Sequence, residues 1–303
     1  MKFVMVVLFI ACVVSAQDNT VVDVLKTLGT ESKLLELVQK AKIDSRLEGK
    51  GPFTVFAPTD DAFAALPEDL LAKLESDNLL LTQLLEFHVA SSKVMSDGLK
   101  NNQLIPTLIG LNIRINIYNT SKPSVITADG AVVIRPDNIA SNGVVHVIDQ
   151  VMWPVPTGDI VKGIASNIHL STLGSAVSKA GLVASLSGDG PFTVFAPTNE
   201  AFFKLPAGVL DGLLKNVTAL TNVLTYHVLS NVYNNVGLYY SRELRTVQGK
   251  NVTIKASSRE SIMVNNASVL KEMTKTNGVL QVVDTVLIPP NTHFELVQNK
   301  KDK

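Results

Sequence analysis

The sequence runs to 303 residues with 27 Lys and Arg against 27 Asp and Glu, 46% hydrophobic residues and one cysteine. A neutral chain with no clustered basic face carries no nucleic-acid footprint. The lone Cys12 excludes a disulfide framework, a multi-thiolate zinc site and, once the leader is removed, a cysteine nucleophile.

Met1 and Lys2 give a positive start, Phe3 to Val14 an almost unbroken apolar run, and Val14-Ser15-Ala16 the small residues of a cleavage site. Residues 1–16 therefore read as a secretory signal peptide, too short in its apolar part to span a bilayer. No later segment reaches the length of a membrane span, so the mature chain is expected in the extracellular space or matrix, starting near Gln17.

Val21, Val22, Val24, Leu25 and Leu28, then Leu34, Leu35 and Val38, follow helical spacing. Phe53-Thr-Val-Phe56 is a short apolar run expected as a buried strand, ended by Ala57-Pro58. Thr59 or Asp60 can cap a short helix through Ala62, Phe63 and Leu66, since a side-chain oxygen satisfies free N–H groups there. Pro67 opens another helix with Glu68 and Asp69 in its first turn, and Leu70, Leu71, Leu74, Leu81, Leu84, Leu85 and His88 form its apolar stripe. Leu111 to Ile117 alternates strictly, which predicts a strand buried on one face. Asp129-Gly130 and Asn142-Gly143 are turn signals before Ala131 to Ile134 and Val144 to Ile148, and Trp153-Pro154 closes the unit.

The whole pattern then repeats. Gly51 to Thr59 returns letter for letter at Gly190 to Thr198, and Gly51–Pro67 agrees with Gly190–Pro206 at 13 of 17 positions. Phe87-His88 meets Tyr226-His227, and Asn142-Gly143-Val144 meets Asn277-Gly278-Val279. The chain is thus two copies of one domain, expected at 17–154 and 158–290, with a short stiff linker at 155–157 and a polar tail at 291–303. Helices followed by mostly antiparallel strands make each copy α+β. Residues 17–154 carry 12 Lys and Arg against 17 Asp and Glu, and 155–303 carry 14 against 10. Either drift between copies or weak head-to-tail attraction between unlike domains accounts for that asymmetry.

The two Thr-Val-Phe-Ala-Pro-Thr segments, the Ala62-Phe63 and Ala201-Phe202 pairs, the Phe87-His88 and Tyr226-His227 pairs and the closing Asn-Gly segments resemble the fasciclin domain family, in tandem. The resemblance implies a mostly antiparallel β-wedge flanked by several helices, and extracellular adhesion or matrix roles. Carried over by position, it implies a receptor-binding surface at Leu224, Tyr226, His227, Val228 and Leu229, with Phe87 and His88 in the first copy, and integrins among the receptors. A second integrin element, an Asp-Ile pair, falls at Asp137-Asn138 and Glu272-Met273, so neither copy matches it in full. No Arg-Gly-Asp occurs.

His88 and His227 also read as buried rings satisfied by backbone or a hydroxyl. Thr59 and Thr198 read as caps, not nucleophiles. His146 is replaced by Gln281 and Asp60-Asp61 by Asn199-Glu200, and no nucleophile elbow, phosphate loop or His-Glu-x-x-His is present. No enzyme activity, metal or cofactor is expected. Asn119, Asn216, Asn251 and Asn266 begin glycosylation sequons, of which Asn119, after a strand, is best placed.

Three functions remain open at this stage. The chain is an adhesion protein binding cell-surface receptors or extracellular-matrix proteins or glycans, a matrix scaffold without a receptor, or a carrier of a small apolar ligand.

Overall fold

The computed structural model describes residues 19–119 and 124–290; the leader at 1–16 and the tail at 291–303 lie outside the described residues. Each copy begins with helices whose apolar faces the spacing marked. In the first, Val21–Leu28 is capped by Thr20, which accepts from the Asp23 N–H while Asp23 accepts from the Thr20 N–H, a reciprocal capping box. Thr59 and Thr198 cap Asp60–Ala64 and Asn199–Phe203, accepting from the Ala62 and Ala201 N–H groups at 3.2 Å.

The first sheet contains β1 (Phe53–Pro58), β2 (Val89–Ala90), β3 (Leu104–Pro106), β4 (Asn112–Tyr118), β5 (Val125–Ala128), β6 (Ala131–Ala140) and β7 (Gly143–Ile148), in the order β2-β1-β7-β6-β5-β4-β3. The second contains β8 (Phe192–Pro197), β9 (Val228–Leu229), β10 (Glu243–Arg245), β11 (Asn251–Ala256), β12 (Ile262–Val264), β13 (Ala267–Lys275) and β14 (Gly278–Val283), in the order β10-β11-β12-β13-β14-β8-β9. One pairing in each sheet is parallel, β1 with β7 and β8 with β14, running from Phe53 beside Gly143 and from Phe192 beside Gly278. Every residue of β1 and β7 is buried, as expected of a central strand pair covered on both faces.

Packing at the mouth of this pair explains the repeated phrase. Gly51 and Gly190 have φ of 59° and 71°, and a Cβ on either would collide with the Asn142 or Asn277 carbonyl. The same asparagines tie the helices to the sheet. Asn142 accepts from the Val21 N–H and donates to the Leu47 and Gly49 carbonyls; Asn277 does the same with Ile160, Leu186 and Gly188. Two apolar clusters lie in each domain, one under the helices and one in the wedge, where Phe56, Phe87, Ile113 and Ile115 meet in the first copy and Phe195, Tyr226, Val252 and Ile254 in the second.

Two expectations change. The strand expected at Ala131 to Ile134 extends to Ala140 through register shifts, with Asp137 at φ 61°. The alternating strand at Leu111 to Ile117 is β4, and it is buried on both faces: Arg114 and Asn116 are 6% and 1% exposed. The second domain supplies the cover. Arg114 Nη2 donates to the Thr276 carbonyl at 3.2 Å, the Tyr118 hydroxyl donates to the Val232 carbonyl at 3.3 Å, and Asn234 Nδ2 donates to Thr127 Oγ1 at 3.2 Å. Arg259 pairs with Asp149 at 2.6 Å, and the rings of Tyr118 and Tyr233 lie 6.2 Å apart. Gly237, in the helix Asn235–Tyr239, lets the Tyr118 ring approach so closely that a Cβ there would lie within 3.0 Å of it.

Candidate functional site

The histidine-bearing segments lie deep in each domain. Asp77 and Asn216 cap the helices Asn78–Phe87 and Val217–Tyr226, each accepting at 3.0 Å from the N–H three residues on. These helices deliver His88 and His227 to equivalent places. His88 Nδ1 bonds the Leu84 carbonyl at 2.8 Å and Nε2 accepts from the Met152 N–H at 3.0 Å. His227 repeats this with the Val223 carbonyl and the Leu287 N–H at 2.8 and 2.9 Å. Nε2 facing an N–H must be the acceptor, so both rings are neutral and carry their proton on Nδ1. Burial pushes each imidazole down to about 4. The histidines staple the helix to the strand-closing segment, as the buried-ring reading expects.

Phe87, His88, Leu224, Tyr226, His227, Val228 and Leu229 are all buried. Tyr226 differs from Phe87 by a hydroxyl that donates to the Asn251 carbonyl at 2.8 Å and accepts from Asn265 Nδ2 at 3.0 Å. The side chains are close together inside the wedge and present no face to a receptor in this conformation.

Asp137 and Glu272 occupy equivalent positions on β6 and β13 and work as internal clamps. Asp137 accepts from the Ser96 N–H at 2.8 Å and also bonds Ser96 Oγ, while its own N–H donates to His146 Nδ1 at 3.1 Å. Glu272 Oε2 accepts from the Asn235 N–H and, at 3.0 Å, from Gln281 Nε2. The Asp137 clamp keeps 30% of its side chain exposed. Glu272 instead lies under the first domain's Asp129-Gly130 turn, and burial pushes its carboxyl up.

Asp129 is the other carboxylate at this junction. Oδ1 accepts from the Arg114 N–H at 3.0 Å, but Oδ2 is shielded from water and has no hydrogen-bond partner among the described residues. Burial pushes Asp129 up to about 7, against the pull of the Arg114 N–H and charge, with Glu272 adding repulsion. Its counterpart in the second copy is Asn265, which makes the same bond to the Thr253 N–H without charge.

All four sequon asparagines, Asn119, Asn216, Asn251 and Asn266, are exposed. Sequence reasoning missed the tethers Asn142 and Asn277, although their recurrence in both copies was a usable signal. It also missed Asp129, whose burial at the junction with the other domain's Glu272 no local pattern announces. Among the described residues, no group of three or more His, Cys, Asp or Glu could hold a metal ion, and no helix is long and apolar enough to cross a membrane.

The fasciclin domain model matches residues 29–154 and again 169–289. The chain belongs to the fasciclin domain family. Transforming growth factor-beta-induced protein ig-h3 of Sus scrofa is 33% identical over 280 residues, 90% of this chain and 40% of that protein. Human periostin is 35% identical over 253 residues, 82% of this chain and 30% of that one. The chain thus spans less than half the length of these relatives. A single fasciclin domain aligns with the cell surface glycolipoprotein MPB83 of Mycobacterium bovis at 39% identity over 132 residues, 42% of this chain and 58% of that protein. A solved domain pair from the insect cell adhesion molecule fasciclin I covers 87% of this chain and 98% of that one at 21% identity, with a TM-score of 0.40.

Proposed function

We propose that this fasciclin pair is a secreted, non-enzymatic adhesion protein of the extracellular matrix. The observation that carries this reading is the pairing of two complete fasciclin domains through a polar and aromatic junction built around Arg114, Tyr118 and Asn234. The junction presents two sets of outer surfaces in a fixed relation, so weak contacts at each domain add in avidity. Relatives named for the cell surface and the apolar leader at 1–16 support the extracellular setting.

Receptors, integrins among them, then meet residues outside the wedge. Leu224, Tyr226, His227, Val228, Leu229, Phe87 and His88 serve adhesion as positioning residues, because their burial couples any change in them to the fold. Asp137 and Glu272 act likewise through Ser96 and Asn235.

The test is to express the tagged chain in cultured eukaryotic cells and follow it into medium and into the insoluble matrix left after detergent extraction, then to add a divalent-ion chelator to cells attached on it. Secretion, matrix retention and chelator-sensitive attachment support the reading with an integrin-type receptor. Matrix retention without attachment would replace it with a scaffold role.

A further inference from the structure

A cleft of about 820 Å³ opens beside the domain junction, in the size range of small-ligand sites. Its walls combine aromatic faces with amides: Tyr118, Tyr233, Tyr239 and Tyr240 on one hand, Asn101 and Asn119 on the other. Tyr118 and Tyr233 lie 6.2 Å apart and Tyr239 and Tyr240 5.0 Å apart, edge to face. The hydroxyls of Tyr233 and Tyr239 have no hydrogen-bond partner among the described residues. Asn101 accepts from the Ile117 N–H through Oδ1 at 2.9 Å, which leaves its Nδ2 as an unused donor among the described residues. The two charges on the lining, Arg242 and Glu243, are adjacent in sequence and cancel.

Neutral rings with apolar C–H faces and vicinal hydroxyls fit such walls, since the faces stack on tyrosine and the hydroxyls pair with amides and phenols. One source of such rings is tethered at the rim. Asn119 is exposed, begins the sequon Asn119-Thr-Ser and itself lines the cleft.

We propose that Asn119 carries an N-linked glycan whose first sugar residues are seated in this tyrosine cleft, bridging the domains. The inference rests on the secretory reading above. In the attachment step, Asn119 Nδ2 bonds the anomeric carbon of a lipid-diphosphate-linked oligosaccharide. The anomeric C–O bond breaks, the diphosphate leaves with its electron pair, and the amide proton passes to the transferase. Because the cleft is lined by Tyr118 and Asn119 of the first domain and by Tyr233, Tyr239 and Tyr240 of the second, the seated glycan holds the junction closed.

The test uses the full chain secreted from eukaryotic cells. Peptide mass spectrometry reads occupancy, and native digestion with a peptide N-glycosidase compares release at Asn119 with release at exposed Asn266 in the same molecule. The expected result is occupancy at Asn119 and release there several-fold slower than at Asn266. Tyr239→Ala should abolish the difference, and Tyr239→Phe, which keeps the ring, should retain most of it. If Tyr239→Ala fails to fold by circular dichroism, Tyr233→Leu takes its place. Bare Asn119, with or without glycan at Asn266, would overturn the inference while leaving secretion intact; failure of the chain to reach the medium would overturn the secretory reading itself. Equal release rates at Asn119 and Asn266 in the parent would also overturn it.

Discussion

The Tyr226 hydroxyl donates to the Asn251 carbonyl at 2.8 Å and receives a hydrogen bond from Asn265 Nδ2 at 3.0 Å, so one phenol joins the second domain's helix to two elements of its wedge. Tyr226→Phe removes both bonds, leaving the exposed Asn251 and half-buried Asn265 to turn to water instead. The expected loss is about 1–2 kcal/mol of stability with the fold retained, since Phe87 fills the equivalent place in the first domain. Urea unfolding of parent and variant measures this; an unchanged midpoint would mean that the hydroxyl contributes nothing.

His88 and His227 set a shared acid sensitivity. Each ring is held down to about 4 by burial, below the ordinary value of 6.5. Between these two values the unfolded chain binds a proton that the folded ring refuses, so the stabilisation is complete above pH 6.5 and is lost as pH falls toward 4. About 3 kcal/mol per histidine is at stake. Denaturant melts at a series of pH values should show this fall, and a flat profile between pH 6.5 and 4 in an Asp129→Asn background would contradict the neutral staples.

Asp129 works in the opposite direction. Its carboxyl is raised from 3.8 to about 7, so its contribution is fully present below pH 4 and is lost as pH rises through 7, where burial of the charge opposes folding. Asp129→Asn, the residue type already used at Asn265, should therefore stabilise the chain at pH 8 by about 1–3 kcal/mol and have little effect at pH 4. Thermal melts at both pH values decide this. Destabilisation at pH 8 would show that the Arg114 N–H bond and the attraction of its charge outweigh the desolvation.

Gly237→Ala should open the junction. The added methyl lies within 3.0 Å of the Tyr118 ring, and the strain costs about 1–3 kcal/mol unless the domains move apart. Hydrogen exchange should accelerate across 112–118 and 231–239, while the buried strands β1 and β8 keep their protection. Unchanged exchange at both segments would mean that the domains are not packed through Tyr118.

Much of each domain was legible before any coordinates. Helical spacing, the Thr59 and Thr198 caps, the turn at Asp129-Gly130 and the buried Phe53–Phe56 strand all follow from local chemistry, and the exact repeat doubled every signal. Long-range partners were not legible. Arg114 and Asn116 look like the wet face of an alternating strand, because nothing local announces that Thr276 and the 231–239 segment cover them. Asp137 and Glu272 resemble surface acids until their bonds to Ser96 and Asn235 are traced. For Tyr226 and His227, the residue types suit a binding surface and a satisfied core equally well, and only burial distinguishes them.

Cell attachment to the immobilised, folded mature chain, with Tyr226→Phe assayed beside it, tests the adhesive reading most directly. Attachment to both proteins at equal coating density is the expected result, because the receptor meets outer surfaces and the Tyr226 hydroxyl faces Asn251 inside the wedge. No attachment to the parent, shown to be folded by circular dichroism, would contradict adhesion as the function of this pair.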